Sequence, residues 1–339
     1  MDDGIVQYRS LRRYVGLELL ALVLAGIGGY FLSPFFAPQS ELNLIGVVFW
    51  FFLVPLGMSS LGFGIGWKAK KDAVDYTGRQ WEFEVKQCTI EECRAIFREY
   101  RKRFPRLLSD SQFWHFYIPV VLMLATLAVP LYAFFYMTWL GPYVNEATAA
   151  LFVANFGVSS YGGFRATSNE ASDDFGIPLI RESLKLARTQ EKTPGISHVR
   201  ILLDRAQADG LSVYRTPRVL LRIDTMEKIA YIESLTEELG AVSSIFCRLF
   251  STEDTPEINW WWTSRDRHFR KYIQADDEEY YVKLPVPTTK ERLGVKDVPE
   301  LTANAVALVI IEALNRGIAP EGTRDTLTLL NVPEDYPLV

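Results

Sequence analysis

The chain has 339 residues, 49% of them hydrophobic and 23% charged, and a formal net charge of −5; that length allows one large or two medium domains with ample core. Three cysteines without a Cys-x-x-Cys pair argue against a disulfide frame or a cysteine zinc site, and three histidines leave little material for a histidine triad or metal centre. Residues 1–165 carry fifteen basic and thirteen acidic groups and residues 166–339 carry 21 and 28, so the second half repels phosphate backbones and nucleic acid is not an expected partner.

Four stretches hold no Asp, Glu, Lys or Arg: residues 19–40, 42–67, 111–145 and 147–164. Uncharged apolar runs of about 18 residues or more predict membrane-spanning helices. The expected fold class is therefore a membrane protein with four transmembrane α-helices, arranged as two tandem hairpins, plus a cytoplasmic α+β domain. All 36 basic residues lie before the first span, between the second and third, or after the fourth. The positive-inside bias then places both termini and the C-terminal domain in the cytoplasm. The expected divisions are a cytoplasmic N-terminus (1–13), hairpin one (14–67), a strand-helix insert (68–112), hairpin two (113–165), a linker (166–177) and the α+β domain (178–339).

The first span, residues 14–36, carries Glu18 one turn in and a Gly26-Ile27-Gly28-Gly29 patch that leaves room for a neighbouring backbone. Its apolar core is too long for a cleaved signal peptide, so it is expected to stay in the mature protein. Pro34 and Pro38 end it. The second span, residues 44–67, ends in the stretch Gly57-Met58-Ser59-Ser60-Leu61-Gly62, with Gly66 one turn on. Gly62 and Gly66 form a Gly-x-x-x-Gly pair that permits close helix approach. The third span, residues 114–138, contains Pro119 and Pro130, which predict a kink, and has His115 at its cytoplasmic mouth. The fourth, residues 148–164, has Asn155 near its centre and repeats the motif as Gly157-Val158-Ser159-Ser160-Tyr161-Gly162. The repeat predicts an internal duplication, with the two motifs facing each other across a pseudo-two-fold axis and their Ser hydroxyls bonding across the gap.

In the insert, Trp81, Phe83 and Val85 alternate with charged residues as in a strand, and Thr89-Ile90-Glu91-Glu92 is a capping box opening a basic amphipathic helix that ends near Pro105. Past the linker, residues 178–189 and 198–208 read as helices. Residues 218–223 read as a strand, 224–240 as a helix behind a second capping box, and 241–250 as another strand, together a β-α-β unit. Strands are expected at 258–263, 279–286 and 326–332, with an apolar helix over 299–316 opened by Pro299 and stopped by Gly317. This order suggests a ferredoxin-like sandwich.

No P-loop, dinucleotide fingerprint, His-Glu-x-x-His helix or nucleophile elbow is present. No catalytic residue and no cofactor is therefore assigned. Asp72, Asp75, Glu170 and Asp173 just past the spans are the candidates for a metal site, since four facing carboxylates could hold magnesium against a phosphate. Trp260-Trp261-Trp262 followed by Arg265, Arg267, Arg270 and Lys271 is the candidate docking stretch, toward membrane lipid or a protein partner. The expected function is non-enzymatic: a membrane anchor, scaffold or sensor subunit that docks a protein partner or a second copy of itself. The alternatives are a transporter or pore built from the duplicated hairpins, and a metal-dependent enzyme acting on a lipid headgroup.

Overall fold

The computed structural model describes residues 6–38, 40–77, 80–107, 114–136, 138–168, 171, 177–208, 210–236, 242–250, 256–265, 268–275, 278–285 and 295–330. The chain divides into two compact units, Met1–Arg79 with Phe104–Asp173, and Gln80–Arg103 with Asp174–Val339.

The first unit is a helix bundle. It contains α1 (Arg12–Phe31), the short α2 (Ser33–Phe36) and the long α3 (Leu44–Asp72). Further along the chain it adds α5 (Trp114–Phe135) and α6 (Val144–Ala166), while β1 (Val6–Tyr8) and β2 (Val74–Tyr76) pair antiparallel beside it. Near its start α3 widens into a π-helical turn, Phe49–Leu53, where the Val54 N–H donates to the Phe49 carbonyl. Pro55 follows directly and has no N–H to give, so the wider turn absorbs the missing bond. Helix α5 remains one helix through Pro119 and Pro130.

Among the described residues four helices are long and apolar enough to cross a membrane: Arg12–Phe31, Leu44–Asp72, Trp114–Phe135 and Val298–Asn315. In the first three, 11%, 17% and 28% of the most apolar window is buried, against 72% in the last, which is a core helix of the second unit. The expected fourth span lies in α6, 23 residues long but not among these four. Asn155, Ser159, Ser160 and the glycines lower its hydropathy. Helix α6 tolerates them because it packs along α1, α3 and α5.

The second unit is built on one eight-stranded antiparallel sheet in the order β10-β9-β8-β7-β6-β5-β4-β3. The strands are β3 (Glu84–Cys88), β4 (Ile196–Ala208), β5 (Leu211–Ile223), β6 (Ala230–Thr236), β7 (Val242–Leu249), β8 (Ile258–Thr263), β9 (His268–Ala275) and β10 (Glu278–Pro285). Each strand pairs with the next in sequence, so the sheet is a meander without a β-α-β crossover. This replaces the ferredoxin-like expectation. Helices α4 (Ile90–Arg103), α7 (Ile177–Gln190) and α8 (Val298–Asn315) pack on the sheet, with α7 between α4 and α8. A further helix, α9 (Thr323–Leu329), contacts α8.

The insert is thus not separate, because β3 forms an edge of this sheet and α4 belongs to its helical layer. The capping box that opens α4 closes as expected: the Glu92 N–H donates to Thr89 Oγ1 at 3.1 Å, and the Thr89 N–H donates to Glu92 Oε2 at 2.7 Å.

Three expectations fail here for identifiable reasons. Residues 198–208 are strand, not helix. A register shift between Leu202 and Asp204 buries Ile201, Leu202 and Leu203 in succession, which breaks the two-residue alternation and imitates a helical stripe. Residues 224–240 do not form a helix over their described part. Asp224 and Thr225 make a turn with Thr225 at φ 64°, and β6 follows with Ala230, Ile232, Ser234 and Thr236 buried on alternate positions. Strand β9 takes in Arg270 and Lys271 of the basic cluster. The expected last strand begins instead inside α9.

Candidate functional site: a glycine and serine helix seam and an open sheet face

Helices α3 and α6 lie side by side and parallel, and their contacts advance together along both chains. Asn155 Nδ2 donates to the Pro55 carbonyl at 2.9 Å, and the Ser59 and Ser159 hydroxyls are 2.7 Å apart. A Cβ on Gly62 would sit 2.7 Å from the Phe156 carbonyl oxygen, one on Gly66 1.9 Å from that of Ser160, and one on Gly163 2.2 Å from that of Phe63. Glycine is required at these points because backbone meets backbone. On the other side of α6, Gly29 of α1 would meet Ala149 Cα at 2.8 Å, so the glycine patch of the first span does admit a neighbouring helix.

The two motifs do not meet as wholes. A Cβ on Gly162 would strike the His115 carbonyl of α5 at 2.8 Å, Gly157 faces Leu22 of α1, and Gly57 has open space. Ser60 is exposed and bonds its own helix at the Leu56 carbonyl, whereas Ser160 is buried. The bundle departs from two-fold symmetry: α5 packs along α6, but α1 touches α3 only sparsely. Helix α6 is the common neighbour, so its motif is used on three sides and that of α3 on one.

Of the four candidate metal carboxylates, Glu170 and Asp173 lie outside the described residues. Asp72 accepts a hydrogen bond from the Tyr14 hydroxyl, and Asp75 pairs with Arg9 at 2.7 Å. That bond and the Asp75 charge push the Arg9 pKa up. Among the described residues no group of three or more His, Cys, Asp or Glu is placed to hold a metal ion.

The tryptophan run sits in β8, between β7 and β9, and strand alternation separates its members. Trp260 and Trp262 are 1% exposed and face the helical layer, while Trp261 is 49% exposed on the other face. The first two are core residues and do not reach lipid, because successive side chains point to opposite sides of a strand. The basic cluster divides in the same way. Lys271, opposite Trp260, donates to Glu312 of α8 at 2.6 Å, and Arg316 holds the same carboxylate at 2.8 Å. Arg270, opposite Trp261, lies on the other face; Arg265 is exposed at the turn, and Arg267 lies outside the described residues.

Helices α7 and α8 meet the face opposite to that of Trp261, where Gln190 donates to Ser234 Oγ and Lys271 to Glu312. The neighbours of Trp261 across the sheet are Phe246 on β7, Glu233 on β6 and Leu220 on β5. Arginines lie over aromatic rings there: Arg248 is 5.6 Å from the Phe246 ring and 5.9 Å from that of Tyr231, and Arg222 is 5.6 Å from the Tyr231 ring. Arg218 bridges Asp204 at 2.8 Å and Glu233 at 3.4 Å. Of this surface the sequence reading names only Trp261 and Arg270. The signal for the rest was the outward half of the alternation in β6 and β7, hidden where β6 reads as helix.

A scan of family models and searches of curated proteins and of solved structures find no match to this chain.

Proposed function

We propose that the chain is an integral membrane anchor or sensor subunit. Helices α1, α3, α5 and α6 cross the membrane, both termini and the sheet unit are cytoplasmic, and the sheet face bearing Trp261 docks a protein partner. Membrane residence is supported by the outer surface of the bundle, where Leu19, Leu20 and Leu24 of α1, Ile45 and Leu61 of α3, and Phe116 and Leu124 of α5 are all exposed. An apolar surface of that extent is costly in water and at home in lipid. Orientation is supported by the one-sided distribution of basic residues.

The observation that carries the docking role is Trp261, a large ring half exposed in the middle of a sheet face, between strands rather than at a rim. Trp and Arg are the anchors enriched at protein interfaces. The polar groups of the bundle interior favour an anchor over a conduit. The Asn155 amide nitrogen, Ser59 and Ser159 make helix-to-helix bonds, and Thr126 and Thr148 bond the Leu122 and Val144 carbonyls of their own helices.

The test is the native complex taken from membranes in mild detergent. A stoichiometric second protein, or a second copy of the chain, is expected with the wild type and is lost with Trp261→Glu while the melting temperature is kept. A wild-type particle of single-chain mass would end the docking reading.

A further inference from the structure

Between α1 and α3, at the end of the bundle where α1 begins and α3 finishes, lies a groove of about 670 Å³. It exists because these two helices are joined at their ends and hardly touch between. Tyr14 reaches Asp72 at this end, and past the far end of α1 the Trp50 Nε1 of α3 donates to Ser33 Oγ of α2 at 3.2 Å. Gly64, which lines the groove, has nothing within 4 Å of where a Cβ would stand. The lining is two-sided in character: Leu17, Leu61 and Ile65 are apolar, while Arg9, Arg13 and Lys68 bring three cations against the single carboxylate of Asp72.

The charges are not equally available. Asp72 is engaged by Tyr14, and Arg9 is paired with Asp75. Among the described residues neither Arg13 nor Lys68 has an ion-pair partner, and the two stand on opposite walls, one per helix.

We propose that this groove binds one acidic phospholipid, with its phosphate between Arg13 and Lys68 and the start of an acyl chain along Leu17, Leu61 and Ile65. A paired anion and apolar tail match cations beside an apolar wall, and cationic side chains at the ends of membrane helices lie at headgroup depth. The volume exceeds what a phosphoglycerol group fills and leaves room for the first part of a chain. The proposal rests on the membrane reading of the bundle and not on the docking face.

The experiment uses the purified full chain in a neutral detergent, with retained lipid counted by native mass spectrometry. Wild type should hold one phosphatidylglycerol at a concentration at least about tenfold below that needed for phosphatidylcholine. Arg13→Gln with Lys68→Gln should erase that preference, and Lys192→Gln, an exposed cation of the second unit, should leave it unchanged. Gly64→Phe keeps every charge but fills the groove, and should weaken phosphatidylglycerol retention about tenfold; should that variant fail to fold, Leu17→Trp fills the same space. Equal retention of the two lipids, full retention in the filled variant, or displacement by inorganic phosphate at the lipid's own concentration would overturn the site. Membrane residence is scored separately by resistance to carbonate extraction, so a chain that stays in the membrane yet shows no preference refutes the groove alone.

Discussion

Replacing Gly66 by Ala adds one methyl group to α3 at its closest approach to α6. That Cβ would lie 1.9 Å from the Ser160 carbonyl oxygen, 2.8 Å from its carbon and 2.9 Å from the Phe164 nitrogen, all backbone atoms that cannot rotate away. An ordinary carbon to oxygen contact is about 3.3 Å, so the two helices, moving as stiff rods, must separate by roughly 1.4 Å along the seam. Such a shift takes the Ser59 to Ser159 contact of 2.7 Å and the Asn155 to Pro55 bond of 2.9 Å out of hydrogen-bonding range. At about 0.6–1.7 kcal/mol for each interhelical bond, with a comparable loss of dispersion along the seam, the cost is roughly 2–5 kcal/mol. The alanine recovers only about 1 kcal/mol of helix propensity. Gly64→Ala is the comparator, because it gains the same propensity with nothing within 4 Å. Unfolding of the full chain in mixed micelles by added dodecyl sulfate should show Gly66→Ala destabilised by roughly 1–4 kcal/mol and Gly64→Ala unchanged or slightly stabilised. Equal midpoints for the two variants would refute the reasoning that backbone contact at Gly66 sets the helix spacing.

Disulfide trapping should link Ser59→Cys to Ser159→Cys within one chain but not Ser60→Cys to Ser160→Cys, since the Ser60 hydroxyl turns back to Leu56; linking of the second pair alone would refute the observed seam. In the sheet, Trp260→Ala should cost about 3–5 kcal/mol in thermal or denaturant unfolding, whereas Trp261→Ala should change stability by less than about 0.5 kcal/mol; equal losses would contradict their opposite faces. Glu312→Gln leaves Lys271 and Arg316 against a neutral amide in a mostly buried place, and a loss of about 2–4 kcal/mol is expected by the same measurement, with an unchanged melting curve as the contrary result. Burial pushes the Cys93 thiol up to about 12, so maleimide should label it at pH 8 only after unfolding. Between the ordinary thiol pKa of about 8.5 and that value the folded state keeps a proton the unfolded state has released, so stability should fall as pH rises through this window; rapid native labelling would overturn the assignment of Cys93 as buried.

From the sequence alone came the features that depend on local or near-local chemistry. Apolar runs without charge locate α1, α3 and α5 because length and hydropathy are properties of consecutive residues and can be read off directly. The Thr89 to Glu92 box locates the start of α4 for a similar reason: its two reciprocal bonds span three residues. The proline in the first turn of α8 and the glycine just past its end are equally local. The Ser59 and Ser159 contact was also legible, since small residues at one spacing in two helices have few other uses in a bundle.

What required the tertiary structure is whatever depends on a distant neighbour. Helix α6 has a middling hydropathy that decides nothing until α1, α3 and α5 are seen around it, when the Asn155 amide nitrogen and the Ser159 hydroxyl are found bonded to α3. Helix α8 is as apolar as a membrane span, and only the sheet beneath it shows that its environment is protein. Strand β4 carries a bulge whose buried residues follow a helical spacing, and pairing with β5 across eleven registered positions overrides that pattern. The three tryptophans divide into two core residues and one surface ring because β8 has sheet neighbours on both sides. A strand's two faces are distinguished only by what lies above and below them, and that is a property of the fold rather than of the strand's own residues.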